Sequence, residues 1–329
     1  MMAMRASWTM LVVLVVLHGV ATGCLNETFR CSSDRDCALQ RLRCDPVELR
    51  CVTPGIAVTQ LASNVELDLA VVWGLPQGEV FAGGDGKRIL HLRGDTWDSE
   101  AVADAAPNDS ITTMFGTSPQ DMWAGTDQGK LLRRTGTRWG AYSMQEFGRV
   151  DALHGTGPQD VWLGSLEGFF HFDGTDWTEV TGPGVFGFAK LIWAASPQDV
   201  WVYWSPSERL TRLNGTTWQD VGLPQPVVYP KGLTGCGPND VWFSALGSGS
   251  WLAQWDGTAW RMEDTLGAVD GMHCGGAGQL WLVGDQLSMR DGATWATKDA
   301  SQLRAVWGDG TRNAYAVGYE GLAVRLHAY

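Results

Sequence analysis

One unit of about 40 residues recurs seven times between Leu69 and Tyr329, and this repetition constrains the fold more than any other feature. The plainest copy reads Gly-Pro-Gln-Asp-Val-Trp at 157–162, followed by a short apolar segment and then Asp-Gly-Thr-Asp-Trp at 173–177. Two aromatic positions mark the repeat, the first at Phe81, Trp123, Trp162, Trp201, Trp242, Trp281 and Tyr315, and the second at Trp97, Trp139, Trp177, Trp218, Trp260 and Trp295. Such a period, built from short strands and turns, is typical of propeller blades, each a four-stranded sheet. The sequence therefore predicts an all-β, seven-bladed β-propeller.

Each repeat divides into four predicted strands, A to D, separated by turns of regular composition. In the third repeat these strands are expected at 150–155, 161–165, 169–172 and 176–180. The A–B turn carries Pro and then Asp, which suits a type I turn with local side-chain bonds to the backbone. The C–D turn carries Asp-Gly or Asn-Gly, which predicts a hairpin. Because these residues repeat at matched turns, we interpret them as structural rather than catalytic or calcium-binding, namely Asp121, Asp160, Asp199, Asp240, Asp173, Asn214 and Asp256.

The seventh repeat ends with its strand C at 323–327, and no strand D follows it before Tyr329. The alternating segment 56–62 (IAVTQLA) lies upstream of the first repeat and is predicted to supply the missing outer strand. This pairing would tie the two ends of the propeller together and remove an exposed sheet edge. We therefore assign residues 55–329 to the propeller.

Residues 1–23 have the features of a lipoprotein signal peptide. Arg5 supplies a positive charge, and 11–17 (LVVLVVL) form an apolar segment too short to remain as a membrane anchor. The sequence at 21–24 (ATGC) resembles the bacterial lipobox, which implies cleavage before Cys24 and a lipid on its thiol. The resemblance further implies an outer-membrane lipoprotein, since Leu25 replaces the Asp that signals inner-membrane retention. The alternative is an ordinary signal peptide that is cut near Gly23.

Cysteine spacing agrees with export. Four cysteines crowd into residues 24–54, which we predict to form a neck with two disulfide bonds among Cys31, Cys37, Cys44 and Cys51. The sequence leaves their three possible pairings open, and a zinc site is disfavoured because the spacing lacks C-x2-C pairs. Cys236 and Cys274 lie at matched positions of neighbouring repeats, so a disulfide between blades is feasible, the alternative being two buried free thiols.

The formal net charge of −12 argues against nucleic acid as a partner and against adhesion to an anionic membrane. The chain also lacks a P-loop, a dinucleotide-binding glycine motif, an H-E-x-x-H motif and a Ser-His-Asp order, so we expect no catalytic residues, metal or cofactor. His91 and His171 share a position with Arg212 and Gln254 of other repeats. His154 and His273 take a position that is elsewhere Trp or Phe, and we interpret all four histidines as packing residues.

Successive turns of a propeller alternate between its two faces. The A–B and C–D turns are short and uniform, and we call their side the uniform face. The B–C turns and D–A connections vary in length and composition, and we call their side the variable face. Because function usually lies on variable loops over a rigid scaffold, the variable face is the predicted binding face. Its candidate residues are Phe186, Trp204, Glu208, Arg209, Tyr229, Trp251, Tyr319 and Glu320.

The repeats and the lipobox together resemble the propeller lipoproteins of myxobacteria and related bacteria. The resemblance rests on Gly-Pro-Asn-Asp-Val-Trp at 237–242 and Trp-Asp-Gly-Thr-Ala-Trp at 255–260, and it covers the chain from about Leu69 onward. It implies the fold and a membrane-anchored location, but no shared activity. There is a weaker likeness to tectonin repeats and to the sialidase Asp-box. The Asp-box has one residue between its Asp and its Gly, whereas Asp173 and Gly174 are adjacent here.

Two functional hypotheses remain. The first is a membrane-tethered binding or scaffold module for a protein or glycan partner. The second is an exported propeller hydrolase or lyase with a site in the central funnel. Charged side chains clustered at the variable-face ends of the A strands would favour the enzyme, whereas apolar and aromatic rims would favour binding.

Overall fold

The computed structural model describes residues 30–32, 34–37, 43–45, 50–75, 78–103, 106, 108–142, 147–182, 184–264, 267–276, 278–292 and 294–329. The predicted signal peptide and Cys24 lie outside the described residues. The chain divides into two units, Met1–Pro54 with Tyr329, and Gly55–Ala328. In the described part of the chain, no helix is long and apolar enough to cross a membrane.

The first unit contains the cysteine-rich segment. Its described elements are helix α1 (Asp34–Cys37) and the antiparallel strands β1 (Arg43–Asp45) and β2 (Arg50–Val52). Disulfide bonds join Cys31 to Cys44 and Cys37 to Cys51. The two predicted bridges are therefore confirmed, and the structure selects one of the three pairings. With all four sulfurs in disulfides, these cysteines offer no thiolate to zinc.

The second unit is built almost wholly from strands. In chain order they are β3 (Ile56–Gln60), β4 (Leu69–Gly74), β5 (Val80–Gly84), β6 (Arg88–Arg93), β7 (Thr96–Val102), β8 (Ile111–Ser118), β9 (Asp121–Thr126), β10 (Leu131–Thr135), β11 (Arg138–Ala141), β12 (Val150–Gly157), β13 (Asp160–Ser165), β14 (Gly168–Phe172), β15 (Trp177–Glu179), β16 (Gly187–Ser196), β17 (Asp199–Pro206), β18 (Arg209–Asn214), β19 (Thr217–Val221), β20 (Tyr229–Gly237), β21 (Asp240–Leu246), β22 (Ser250–Trp255), β23 (Trp260–Glu263), β24 (Val269–Gly276), β25 (Gln279–Gly284), β26 (Gln286–Asp291), β27 (Thr294–Asp299), β28 (Leu303–Gly308), β29 (Asn313–Gly318) and β30 (Ala323–Ala328). A single 3₁₀ turn at Tyr319–Gly321 separates β29 from β30.

From β4 onward, successive strands pair antiparallel in groups of four, which we number as blades 1 to 7 in chain order. The last group has the order β28-β29-β30-β3, with Ile56 opposite Ala328, so the predicted closure by residues near 56–60 is confirmed. Each innermost strand contacts the innermost strand of the next blade, and β28 contacts β4, so the ring is closed. Blades 1 and 2 also share one eight-stranded sheet, because β7 and β11 pair in parallel. The all-β propeller fold is therefore confirmed.

The first repeated aromatic packs between blades, as its regular spacing suggests. Trp123 of β9 is fully buried and contacts Phe172 and Trp177 of the following blade, with ring centroids 5.1 and 5.3 Å away. Trp201 likewise contacts Trp255 and Trp260 of the following blade, at 5.8 and 6.3 Å. Burying a large aromatic surface at each interface holds adjacent blades together.

The repeated turn acids are structural, although the A–B acids bond differently from expectation. Asp160 bonds side chains rather than the local backbone: it accepts from Trp162 Nε1 at 3.0 Å and contacts His171 Nε2 at 2.8 Å, on strand C of the same blade. Asp173, in a C–D turn, does accept from the backbone N–H groups of Thr175 and Asp176. Gly174 beside it has φ 100°, the left-handed conformation that a hairpin turn requires.

Candidate functional site

Exposed apolar surface is concentrated on the variable face. Among the described residues, the large hydrophobic side chains that are exposed are Leu67, Leu166, Phe186, Val228, Tyr229, Met262 and Tyr319. All except Met262 lie in B–C turns or at D–A connections, and Met262 lies on the outer strand β23. Phe186 is the most exposed, at 80 %. The variable face therefore presents apolar groups to solvent where the uniform face presents polar turns.

Four of these side chains occupy neighbouring blades. Leu166 lies in the B–C turn of blade 3, Phe186 leads into strand A of blade 4, and Val228 and Tyr229 lead into strand A of blade 5. We call these four residues the apolar sector. Because the four side chains lie on one face of neighbouring blades, the apolar sector is a candidate interaction surface.

Two predicted contact residues are wrong. Trp204 and Trp251 are buried, with exposed fractions of 3 % and 4 %. Strand β17 extends to Pro206 and β18 begins at Arg209, so the B–C turn of blade 4 is only two residues long and Trp204 lies within the sheet. Its indole Nε1 donates to Thr211 Oγ1 at 2.8 Å, and its ring packs on Phe169 of blade 3.

Trp251 is core for a similar reason. It lies at the start of β22, where its ring contacts Phe243 with centroids 5.5 Å apart, inside a cluster that includes Tyr203 of the preceding blade. A comparison of the repeats does not identify either tryptophan as a core residue, because neither occupies one of the two repeated aromatic positions.

The other predicted residues are exposed or half-buried, and they lie in two separate places. Phe186, Glu208, Arg209 and Tyr229 belong to blades 4 and 5, and Arg209 is held by Asp220 within its own blade, with Nε 2.8 Å from Oδ2. Tyr319 and Glu320 belong to the B–C turn of blade 7.

The blade 7 residues are anchored to the connection that leads into blade 1. The guanidinium of Arg304 stacks over Tyr319, 5.0 Å from the ring centroid, and lies 3.5 Å from Asp68 Oδ2. The backbone N–H of Glu320 donates to Asp68 Oδ1 at 3.0 Å.

Charged side chains of blades 3 to 6 lie at the variable-face ends of the A strands, and we call them the charged belt. Lys190 Nζ lies 2.6 Å from Asp151 Oδ1, and Lys231 Nζ lies 2.8 Å from Asp270 Oδ1. Both ion pairs join neighbouring blades. These residues share one repeat position, three before His154, Trp193, Thr234 and His273 near the ends of the A strands, so opposite charges in successive repeats are the sequence signal that could have identified them.

Near the opposite end of the channel, the A strands contribute aromatic and imidazole rings to a cavity of about 600 Å³. His154 Nδ1 accepts from the Ala194 N–H and His273 Nδ1 from the Gly308 N–H, each at 3.1 Å and each in the following blade. Burial lowers the pKa of His154 to about 4 and that of His273 to about 3, so both are neutral at pH 7. Both rings also contact Trp73, so the interpretation of these histidines as packing residues is confirmed.

Comparisons with known proteins establish the fold alone. No protein-family model matches the sequence, and no curated protein matches it either. Among solved structures, YCF48 bound to D1 peptide is 14% identical with a TM-score of 0.64, covering 82% of this chain and 96% of that one. Virginiamycin B lyase from Staphylococcus aureus is 13% identical with a TM-score of 0.69, covering 83% and 99%. The WD40 β-propeller domain of Doa1 is 10% identical with a TM-score of 0.65, covering 83% and 97%. The fold therefore serves both binding proteins and a lyase.

Proposed function

We propose that this protein is an exported, membrane-tethered scaffold whose variable face binds a polypeptide partner. The observation that carries the proposal is the position of the large exposed apolar side chains, of which all but Met262, among the residues the structure describes, lie on that face. Apolar groups rimmed by polar residues on a rigid surface are typical of protein-interaction sites.

The chemistry of these side chains favours a polypeptide over a glycan. Sugar rings stack on aromatic side chains, and Phe186, Tyr229 and Tyr319 could serve that purpose. Leu67, Leu166 and Val228 offer no such ring, and their branched aliphatic groups pack best against other apolar side chains. YCF48, which has the same fold, was solved with a bound peptide, and this supports a peptide-binding role for a propeller of this shape.

The charged belt has the position expected for an enzyme, but its carboxylates are engaged in ion pairs between blades. Asp151 accepts from Lys190 of the following blade and Asp270 from Lys231 of the preceding blade, which makes both acids counter-ions at blade interfaces. A general base must instead be free to take a proton from a substrate. We therefore assign the belt a structural role and propose no reaction.

The proposal also includes a lipid anchor that holds the exported protein at a membrane. The lipobox-like sequence before Cys24 supports a lipid anchor, and the disulfide-bonded segment that follows supports an extracytoplasmic address, since such bonds persist in oxidising compartments.

Parallel screening of a random peptide library and an oligosaccharide array on the purified chain tests the proposed function. We expect the peptide library to yield sequences enriched in apolar residues, with binding confirmed by titration calorimetry. The double variant Phe186→Ser/Tyr229→Ser should lose that binding. The control is Gln159→Ser/Gln198→Ser, which truncates two exposed A–B turn residues on the uniform face and should bind as the wild type does.

Glycan binding without peptide binding would overturn the choice of a polypeptide. Peptide binding that survives the Phe186/Tyr229 substitutions and is lost in the Gln159/Gln198 variant would place the site on the opposite face. Turnover of a glycan or peptide by the wild type would replace the scaffold by an enzyme.

A further inference from the structure

A groove on the variable face runs from blade 5 across blade 6 to the connection that leads into blade 7. It consists of three cavities of about 620, 370 and 540 Å³. The first two share Glu263 and Asp264 in their walls, and the last two share Gln286. Because adjoining cavities share wall residues, we treat the three as one groove.

Every charged side chain in the described lining of the groove is acidic. Its described lining includes four carboxylates, Glu263, Asp264, Asp285 and Asp299, and no Lys, Arg or His. Arg290 approaches Glu263 only at 3.8 Å, and Asp285 Oδ2 accepts from the backbone N–H of Ala268. Asp264 and Asp299 are exposed and form no ion pair within the described residues. The belt acids on the same face, by contrast, are matched by lysines.

The central cavity has an apolar floor. Leu252 and Leu282 are buried there, and Val269 and the half-buried Trp295 complete the surface. A volume of about 370 Å³ accommodates one large apolar side chain. Asp264 lies at the end shared with the first cavity, and Asp299 lies in the third, so carboxylates flank the floor on both sides.

The wall of the first cavity contributes an unused hydrogen-bond donor. Trp251 is 4 % exposed, and its indole N–H has no hydrogen-bond partner within the described residues. Trp251 is therefore a wall residue of the groove, although it is not an exposed contact.

We propose that this groove binds a short, extended, basic polypeptide segment. One apolar side chain of that segment fills the central cavity, and lysine or arginine side chains on either side reach Asp264 and Asp299. Charge complementarity selects the cationic groups, and the apolar floor selects a peptide over a simple polycation. This inference rests on the proposed function, because it names the chemistry of a partner for the same face.

Fluorescence anisotropy with a dye-labelled acetyl-KKLKK-amide peptide and the full chain provides the test. We expect saturable binding that weakens as salt rises from 20 to 500 mM, because exposed charges are screened. The matched acetyl-KKGKK-amide peptide should bind roughly tenfold more weakly, since it leaves the apolar floor empty. Spermine should compete poorly for the same reason.

Two variants that remove the same charge at different places distinguish binding in the groove from non-specific attraction of a basic peptide to an acidic protein. Asp264→Asn/Asp299→Asn should weaken peptide binding roughly tenfold. Asp176→Asn/Glu179→Gln removes the same charge from exposed positions of blade 3 and should change the affinity less than about twofold. Equal losses in the two variants, or no loss in the first, would overturn the proposal. Equal binding of the Leu and Gly peptides would also overturn it in favour of a site for cations alone.

The assignment of the groove and the assignment of the apolar sector can be tested separately. Phe186→Ser/Tyr229→Ser should leave binding of acetyl-KKLKK-amide within about twofold of the wild type, because neither residue lines the groove. If the lysine peptide fails to bind while library peptides still require Phe186 and Tyr229, the groove assignment is wrong and the proposed function stands. If library peptides no longer require those two residues, the apolar sector assignment is wrong instead.

Discussion

Glu100 of blade 1 accepts two hydrogen bonds from the guanidinium of Arg134 of blade 2, from Nε at 2.8 Å and from Nη2 at 2.7 Å. Both side chains are buried, with exposed fractions of 5 % and 3 %. His91 Nδ1 and Trp139 Nε1 also lie within 3.0 and 2.9 Å of the carboxylate. The ion pair lies where β7 and β11 pair in parallel, so electrostatics and backbone bonds join blades 1 and 2 at the same place.

Glu100→Gln should lower the free energy of unfolding by about 3–5 kcal/mol, because it leaves the buried charge of Arg134 without a counter-ion. Urea unfolding followed by tryptophan fluorescence measures this change. Asp220→Asn is the matched control, since it removes the carboxylate partner of the more exposed Arg209 and should cost less than about 1 kcal/mol. Equal losses in the free energy of unfolding would show that the buried ion pair stabilises the fold no more than the exposed one does.

The same carboxylate predicts a pH dependence. Burial acts to raise the pKa of Glu100, but its bonds to Arg134, His91 and Trp139 outweigh burial and lower that pKa from 4.5 to about 2. Because the folded-state pKa lies below the unfolded one, the carboxylate stabilises the fold above pH 4.5, and this contribution is lost as the pH falls towards 2. Urea midpoints between pH 6 and 2 should therefore fall more steeply in the wild type than in Glu100→Gln.

The disulfide between Cys236 and Cys274 confirms a bridge between blades 5 and 6, with Cα atoms 5.3 Å apart. It closes a loop of 38 residues in the unfolded chain. Cys236→Ser/Cys274→Ser should therefore lower the free energy of unfolding by up to about 4 kcal/mol. Urea unfolding under non-reducing conditions, which keeps the other disulfides intact, measures the change. An unchanged stability would mean that the bridge does not constrain the unfolded chain.

Repetition explains both what the sequence predicts and what it misses. Seven copies of one unit reveal features that every blade needs, such as Trp123 between blades, the turn at Asp173 and the closing strand near Ile56. Glu100 and Arg134 form an ion pair between blades 1 and 2, and a comparison of the repeats does not predict a contact that is specific to two blades. From the sequence alone, Glu100 is assigned to a variable loop, whereas the structure places it within β7.

The length of each hairpin also differs from blade to blade, so a comparison of the repeats does not predict it. The long β17 places Trp204 in the sheet, whereas a comparison of repeats leaves it in a turn. Exposure and pairing of variable-face residues therefore required the structure, because each connection has its own sequence and packs against its own neighbours.

Lipid modification of Cys24 remains a prediction from the sequence. In a Gram-negative host, mass spectrometry of the mature N-terminus should find Cys24 as the first residue, carrying a diacylglyceryl thioether. Cys24→Ala should release the protein from the membrane fraction, because the apolar segment at 11–17 is too short to anchor it. A mature protein with a free Cys24 thiol would support the ordinary signal peptide instead.

Trp204 and Trp251 should behave as core residues. Replacing either with Ala removes a buried indole and leaves a cavity, so each substitution should lower the free energy of unfolding by about 3–5 kcal/mol. Phe186→Ala, at an exposed position, should stay within about 0.5 kcal/mol of the wild type. Urea unfolding of all three variants makes the comparison. Wild-type stability in Trp204→Ala would return that side chain to the surface and restore it as a candidate contact of the variable face.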